Sequence, residues 1–232
     1  MKLNKDTIYM LAIKLDLKSL LNFCNTCRKI NDYEQIWEYK IEKDFPDYQS
    51  LNLNYKIKRI YILIYHLILL KEKLNLSLYY YEIFKHDYLY INNRNLSKIP
   101  KEIFELKNLK FLSISDNELT EIPNEISNLS NLKELFLYRN KLTYISKDIG
   151  KLQNLKILSL SYNQLKDIPD EIGQLQNLEK LYLNNNNLTE IPKTVGKLLK
   201  LDTFNSSWNP LTKIPKEIYE LQSLTPKMCL ML

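Results

Sequence analysis

From His86 onward the apolar positions of the chain recur in a single phase. Leu109, Leu132, Leu155, Leu178, Leu201 and Leu224 each lie 23 residues from the next, and the fullest units read LxxLxLxxNxLxxIPxxIxxLxN. Leu109, Leu112, Ile114, Asn117, Leu119, Ile122, Pro123, Ile126, Leu129 and Asn131 set the pattern. Leu155, Leu158, Leu160, Asn163, Leu165, Ile168, Pro169, Ile172, Leu175 and Asn177 repeat it. A fixed interval of this length marks an array of small supersecondary units.

Each part of the unit has a physical reading. Within LxL the side chains alternate, so Leu112 and Ile114 face one way while Phe111, Ser113 and Ser115 face the other. Every unit thus supplies one short strand with a buried face and an open one. Asn117, Asn140, Asn163, Asn186 and Asn209 stand at the turn off that strand, where an amide both donates to and accepts from neighbouring backbone. Ile-Pro places an extended residue before a rigid φ and sends the chain into its return segment. No unit buries its own apolar stripe, so the units above and below must cover it.

These residues resemble the leucine-rich repeat family in its short form with an Ile-Pro step. The resemblance implies an α/β solenoid with a parallel sheet on its concave face, over residues 86–232, as six 23-residue units and a partial terminal one. The first unit is worn, with His86 in the leading leucine place and Arg94 in the asparagine place. At the far end Met228 and Leu230 come one residue late for LxL, which predicts an imperfect last strand and an edge open to self-association. Gly150, Gly173 and Gly196 fall at one place in consecutive units and read as turn residues.

The front of the chain follows a different period. Ile8, Leu11 and Leu15, then Leu17, Leu20, Leu21 and Cys24, keep helical spacing, with Asp16 placed as a cap. Cys27, Ile30, Tyr33, Ile36, Trp37 and Ile41 form a third such pattern, ended by Pro46. Residues 3–30, with Asp6, Leu11, Leu15, Leu20, Leu21, Cys27 and Arg28 in place and Trp37 beyond, resemble an F-box. Asn4, Ala12 and Ile30 depart from that family's usual residues. The resemblance implies a small all-α F-box-like module at 1–45 that docks a Skp-type adaptor through Ile8, Leu11, Leu15, Leu20, Leu21 and Cys27. Residues 46–85 then read as a linker and a helix, at 55–73, that caps the array.

Composition narrows the chemistry. The chain carries 33 Lys+Arg against 27 Asp+Glu, and only 2 His. Residues 1–85 account for a net +4 (14 − 10) and residues 86–232 for +2 (19 − 17). In the repeats both signs alternate, which argues against a nucleic-acid footprint. Cys24-Asn-Thr-Cys27 lacks the second ligand pair that zinc needs, and the two histidines have no nucleophile pattern near them. An enzyme, a metal and a cofactor are therefore not expected. Charge throughout Met1 to Lys18 leaves no signal peptide, the apolar run at 60–70 is too short for a bilayer, and three cysteines make no disulfide framework. A soluble, cytoplasmic protein without membrane partners follows. The scarcity of Ala and Val beside abundant Asn, Lys, Ile and Tyr looks like the repeat proteins of giant DNA viruses, which would place it in a host cytoplasm.

Function is expected on the open face of the strands. Tyr88, Tyr90, Phe111, Phe136, Tyr138, Tyr162, Tyr182 and Trp208 fall there, beside Glu134, Arg139, Lys180 and Asn205. Aromatic residues and arginine are the usual interface anchors. The pattern predicts a protein-binding groove centred on Phe136, Tyr138, Tyr162 and Tyr182. With the F-box resemblance this implies a substrate receptor of a cullin-type ubiquitin ligase; without it, a repeat scaffold for a protein partner.

Overall fold

The computed structural model describes residues 87–221 and 228–229. The chain forms two compact units, Met1–Ile83 and Phe84–Leu232, and the repeats occupy the second. The helices expected at 1–45 and 55–73, with all six expected adaptor residues (Ile8, Leu11, Leu15, Leu20, Leu21 and Cys27), lie outside the described residues.

Each LxL core forms a three-residue strand: β1 (Tyr88–Tyr90), β2 (Phe111–Ser113), β4 (Glu134–Phe136), β6 (Ile157–Ser159), β7 (Lys180–Tyr182) and β8 (Thr203–Asn205). The pairs β3 (Glu121–Ile122) and β5 (Tyr144–Ile145) make a separate two-stranded sheet, and β9 (Met228–Cys229) ends the series. The main sheet is parallel with order β1-β2-β4-β6-β7-β8-β9. Its register repeats the sequence interval, so Leu89, Leu112, Leu135, Leu158, Leu181 and Phe204 lie side by side. At the last step Phe204 pairs with Met228, an offset of 24 (228 − 204), so the extra residue near Pro226 is absorbed without losing the strand.

The strands stay short because the chain turns at a fixed point. Asn93, Asp116, Arg139, Tyr162, Asn185 and Trp208 all have φ between 54° and 58°, in the left-handed region. The asparagine after each turn, from the second unit on, joins successive coils. Asn163 Nδ2 donates to the carbonyls of Leu137 and Leu160 at 3.0 Å, and its Oδ1 accepts from the Leu142 amide at 3.0 Å. Asn140 and Asn186 repeat this arrangement one coil to either side. All five asparagines are buried, so their bonds replace water for backbone that no regular element satisfies.

The rest of the coil returns through 3-10 segments: Lys101–Glu105, Asn124–Asn128, Lys147–Lys151, Asp170–Gln174 and Lys193–Lys197, then a single α-turn, Lys216–Tyr219. A proline stands directly before all of these except Lys147–Lys151, where Ser146 takes its place and its Oγ accepts from the Asp148 amide at 3.0 Å. Ile103, Ile126, Ile149, Ile172, Val195 and Ile218 point inward from these segments and are fully buried. Burying such a side chain contributes roughly 1.5–3 kcal/mol, and the columns of leucine and isoleucine repeat that gain in every coil.

The glycines correct the sequence reading. They are not turn residues: Gly150, Gly173 and Gly196 lie inside 3-10 segments, and among the described residues no glycine has positive φ. Their role is close approach, since a Cβ on Gly173 would stand 2.5 Å from the Thr194 carbonyl oxygen of the next coil.

Candidate functional site

The open face of the main sheet consists of transverse rows, because register aligns equivalent positions of successive coils. One row reads Tyr88, Phe111, Glu134, Ile157, Lys180 and Thr203. The next reads Tyr90, Ser113, Phe136, Ser159, Tyr182 and Asn205. Parallel strands set such neighbours about 4.8 Å apart, so side chains along a row touch.

The expected target-binding residues separate into two groups. Tyr88, Tyr90, Phe111, Phe136 and Tyr182 are on strands of the open face. Tyr138, Tyr162 and Trp208 lie beyond the strand ends, and Tyr162 and Trp208 occupy the left-handed turn. The expectation that alternation carries all eight onto one strand face is therefore corrected. The strands end after three residues, and the backbone rotates before Tyr162 and Trp208 are reached.

The described ring contacts gather at the early end of the sheet and reach the expected centre at Phe136. Tyr88 and Tyr90 have centroids 6.0 Å apart, Tyr90 and Phe111 4.5 Å, and Phe111 and Phe136 5.3 Å. This strip spans three coils. Tyr162 instead faces a cation, with the Arg139 guanidinium 5.6 Å from its ring centre, while Arg139 also reaches Asp116 at 3.6 Å. Trp208 is 69% exposed and Tyr162 50%, so both project along the turn edge of the face.

Between the aromatic strands the face is recessed. Ser113, Ser115, Ser159, Ser161 and Ser207 are buried although alternation directs most of them outward. Ser113, Ser115, Ser161 and Ser207 bond asparagines of the same or the neighbouring coil. Ser113 Oγ and the Ser115 amide both donate to Asn92 Oδ1 at 2.8 Å, and Ser161 Oγ donates to Asn184 Oδ1 at 2.6 Å. Asn205 Oδ1 accepts from Ser207 in the same way, at 2.7 and 3.1 Å. Sequence reasoning missed this polar floor. Its signal was the pairing of serines two apart in the second and fourth units.

Among the described residues there is no group of three or more His, Cys, Asp or Glu able to hold a metal ion. A depression of 480 Å³ lies between the 3-10 segments Asp170–Gln174 and Lys193–Lys197, and one of 420 Å³ between Lys193–Lys197 and the α-turn; neither is lined by the aromatic strip, a histidine or a cysteine. Among the described residues no helix is long and apolar enough to cross a membrane.

Comparison with known proteins agrees with the register and the asparagine rungs. A family model described as "Leucine rich repeat" matches residues 87–142, and one described as "Leucine-rich repeat region" matches 138–226. Residues 87–226 are a leucine-rich repeat region. Among solved structures the chain is similar to a leucine-rich repeat protein of Leptospira interrogans, with 40% identity and a TM-score of 0.50, over 59% of this chain and 41% of that one. It is also similar to the leucine-rich repeat ectodomain of the plant membrane receptor kinase GASSHO1/SCHENGEN3 from Arabidopsis thaliana, solved in complex with Casparian strip integrity factor 2. That likeness has 34% identity and a TM-score of 0.55, over 64% of this chain and 18% of that one. The chain thus spans less than half the length of either. No curated protein matches it.

Proposed function

We propose that the leucine-rich repeat region is a non-catalytic scaffold that binds a protein partner across the open face of its sheet. The observation that carries this reading is the aromatic strip Tyr88, Tyr90, Phe111 and Phe136, which joins three coils in one apolar surface. Aromatic side chains lose little conformational entropy on docking and dominate interface energetics. Support also comes from the plant ectodomain, which was solved with a bound factor.

In the fuller proposal the scaffold is the target-binding half of a cullin-type ubiquitin-ligase receptor. The F-box-like pattern at 3–30 supports it, with Ile8, Leu11, Leu15, Leu20, Leu21 and Cys27 as adaptor contacts. The mechanism is proximity: the chain holds a target near ubiquitin-transferring subunits and performs no chemistry. A pull-down with a purified Skp-type adaptor tests it. Capture that is lost on Leu11→Asp with Leu20→Asp supports the receptor, and no capture by the wild type rejects it. The scaffold is tested separately by replacing Phe111 and Phe136 with Ala. Partner capture should fall while the thermal melt stays within a few degrees of wild type; unchanged capture would reject the strip as the docking surface.

A further inference from the structure

Charge on the open face and along its edges follows a rule. Where register places a cation and an anion in adjacent coils, they pair: Lys110 with Asp87 at 3.0 Å, Arg139 with Asp116 at 3.6 Å, Lys141 with Glu118 at 3.3 Å and Lys156 with Glu179 at 2.6 Å. Each pair lies 23 residues apart in sequence. Glu134 and Lys180 fall outside the rule, because they are two coils apart. They stand in one row, and Ile157 separates them. Two inter-strand spacings put their Cα atoms roughly 10 Å apart. Both are half-buried, and neither forms an ion pair with a described residue.

The surrounding charges do not neutralise them. Lys133 is exposed at the strand entry between Lys110 and Lys156, which pair away from it with Asp87 and Glu179. At the other end Asp202 Oδ1 accepts from Thr203 Oγ1 at 2.6 Å. The row therefore presents a carboxylate and an ammonium held apart by an apolar side chain, with Phe111 and its aromatic strip beyond the carboxylate.

We propose that Glu134 and Lys180 read a complementary charge pair on an extended peptide of the partner: a Lys or Arg over Glu134 and an Asp or Glu over Lys180. The inference rests on the protein-binding reading above and adds the chemistry of the partner. The separation selects a conformation. A polyproline II segment returns its side chains to one face every third residue at a 3.1 Å rise, about 9.3 Å, which matches the row. A β-extended peptide offers about 7 Å between residues two apart and about 13 Å between residues four apart, and fits neither. Aromatic-lined grooves favour polyproline II ligands as well. The aromatic strip sets the polarity, so the partner's apolar residues flank its cation, and its anion lies at the far end.

A display library of random dodecapeptides selected on the full-length chain tests this. Enriched peptides should carry a basic and an acidic residue three apart, with proline or apolar residues beside the basic one. In fluorescence polarisation, Glu134→Lys or Lys180→Glu should weaken such a peptide at least tenfold. The double variant should restore binding to a peptide whose two charges are exchanged, while the thermal melts of all variants overlay the wild type. Peptides that lack the charge pair, or that bind the double variant as before, overturn the proposal. If that binding is nevertheless lost on Phe136→Ala, the protein-binding reading survives the failure. No enrichment on the wild-type chain overturns both.

Discussion

At the scale of single residues, the asparagine rungs and the left-handed turns make opposite demands on stability. Asn163 bonds four backbone groups from inside the array; Asn163→Ala would leave the Leu142 amide buried and unpaired, while the Leu137 and Leu160 carbonyls keep one bond each, from Asn140 and Asn186. The expected cost is about 1–3 kcal/mol, read as a lower urea midpoint at unchanged slope. The turn position carries asparagine or aspartate in three coils but Arg139, Tyr162 and Trp208 in the others. A bulky residue there costs on the order of 1 kcal/mol relative to asparagine. Trp208→Asn should therefore raise stability by about 1 kcal/mol. Tyr162→Asn should gain less, because it forfeits the stacked Arg139, an interaction worth about 0.5–1 kcal/mol when exposed. Equal gains in the two melts would contradict this assignment. Ser206 is a third case: it occupies the place of Leu137, Leu160 and Leu183, is fully buried, and its hydroxyl has no partner among the described residues. Ser206→Ala should stabilise the chain by about 1 kcal/mol in chemical denaturation.

At the scale of elements, Ser146 separates what a repeat pattern encodes from what a structure needs. Its φ of −58° suits proline, the residue found there in the other coils. Yet its amide donates to the Ile122 carbonyl at 3.2 Å, and its hydroxyl bonds both Asn124 and the Asp148 amide. Ser146→Pro restores the consensus but removes all three, so the melt should fall by several degrees; a rise would show that the rigid φ outweighs them. Gly173→Ala is the counterpart on the helical side. It forces backbone apart where a Cβ has 2.5 Å of room, and should cost about 1–3 kcal/mol in the same assay. The leucine and isoleucine columns, the asparagine rungs and the Ile-Pro step were legible in the sequence because each rests on spacing alone. The close approach at Gly173 was not, since it depends on the distance to the next coil. Nor was the placement of Tyr162 and Trp208, because alternation predicts facing only as far as the strand continues, and three residues end it. The buried serines escaped for a related reason: alternation assigns a face but does not report what covers it. The helical spacing of 1–45 marks that segment off from the repeats, but the partner-binding role proposed for it rests on the F-box resemblance alone.

At the scale of the whole repeat region, stability comes from each coil covering its neighbours, so the array should tolerate loss of a coil but not of register. Removing residues 157–179 joins Lys156 to Lys180 and preserves the interval of 23 on both sides. Glu134 would then stand opposite Lys180, and Asn186 would reach the carbonyl of Leu137 as Asn163 does now. The shortened chain should fold cooperatively, with a lower midpoint and a smaller urea slope, because it buries less surface. Removing 158–179, one residue fewer, shifts every later position by one and turns inward leucines outward; that chain should lose its cooperative transition. Binding separates fold from recognition in the 23-residue deletion. Its fold is kept, but Glu134 and Lys180 now stand on neighbouring strands, with Cα atoms roughly 5 Å apart, where they can pair. Peptides selected through the charge pair should bind it at least tenfold more weakly, even though Tyr88, Tyr90, Phe111 and Phe136 are untouched. Undiminished binding by this folded deletion would show that the aromatic strip alone recognises the partner.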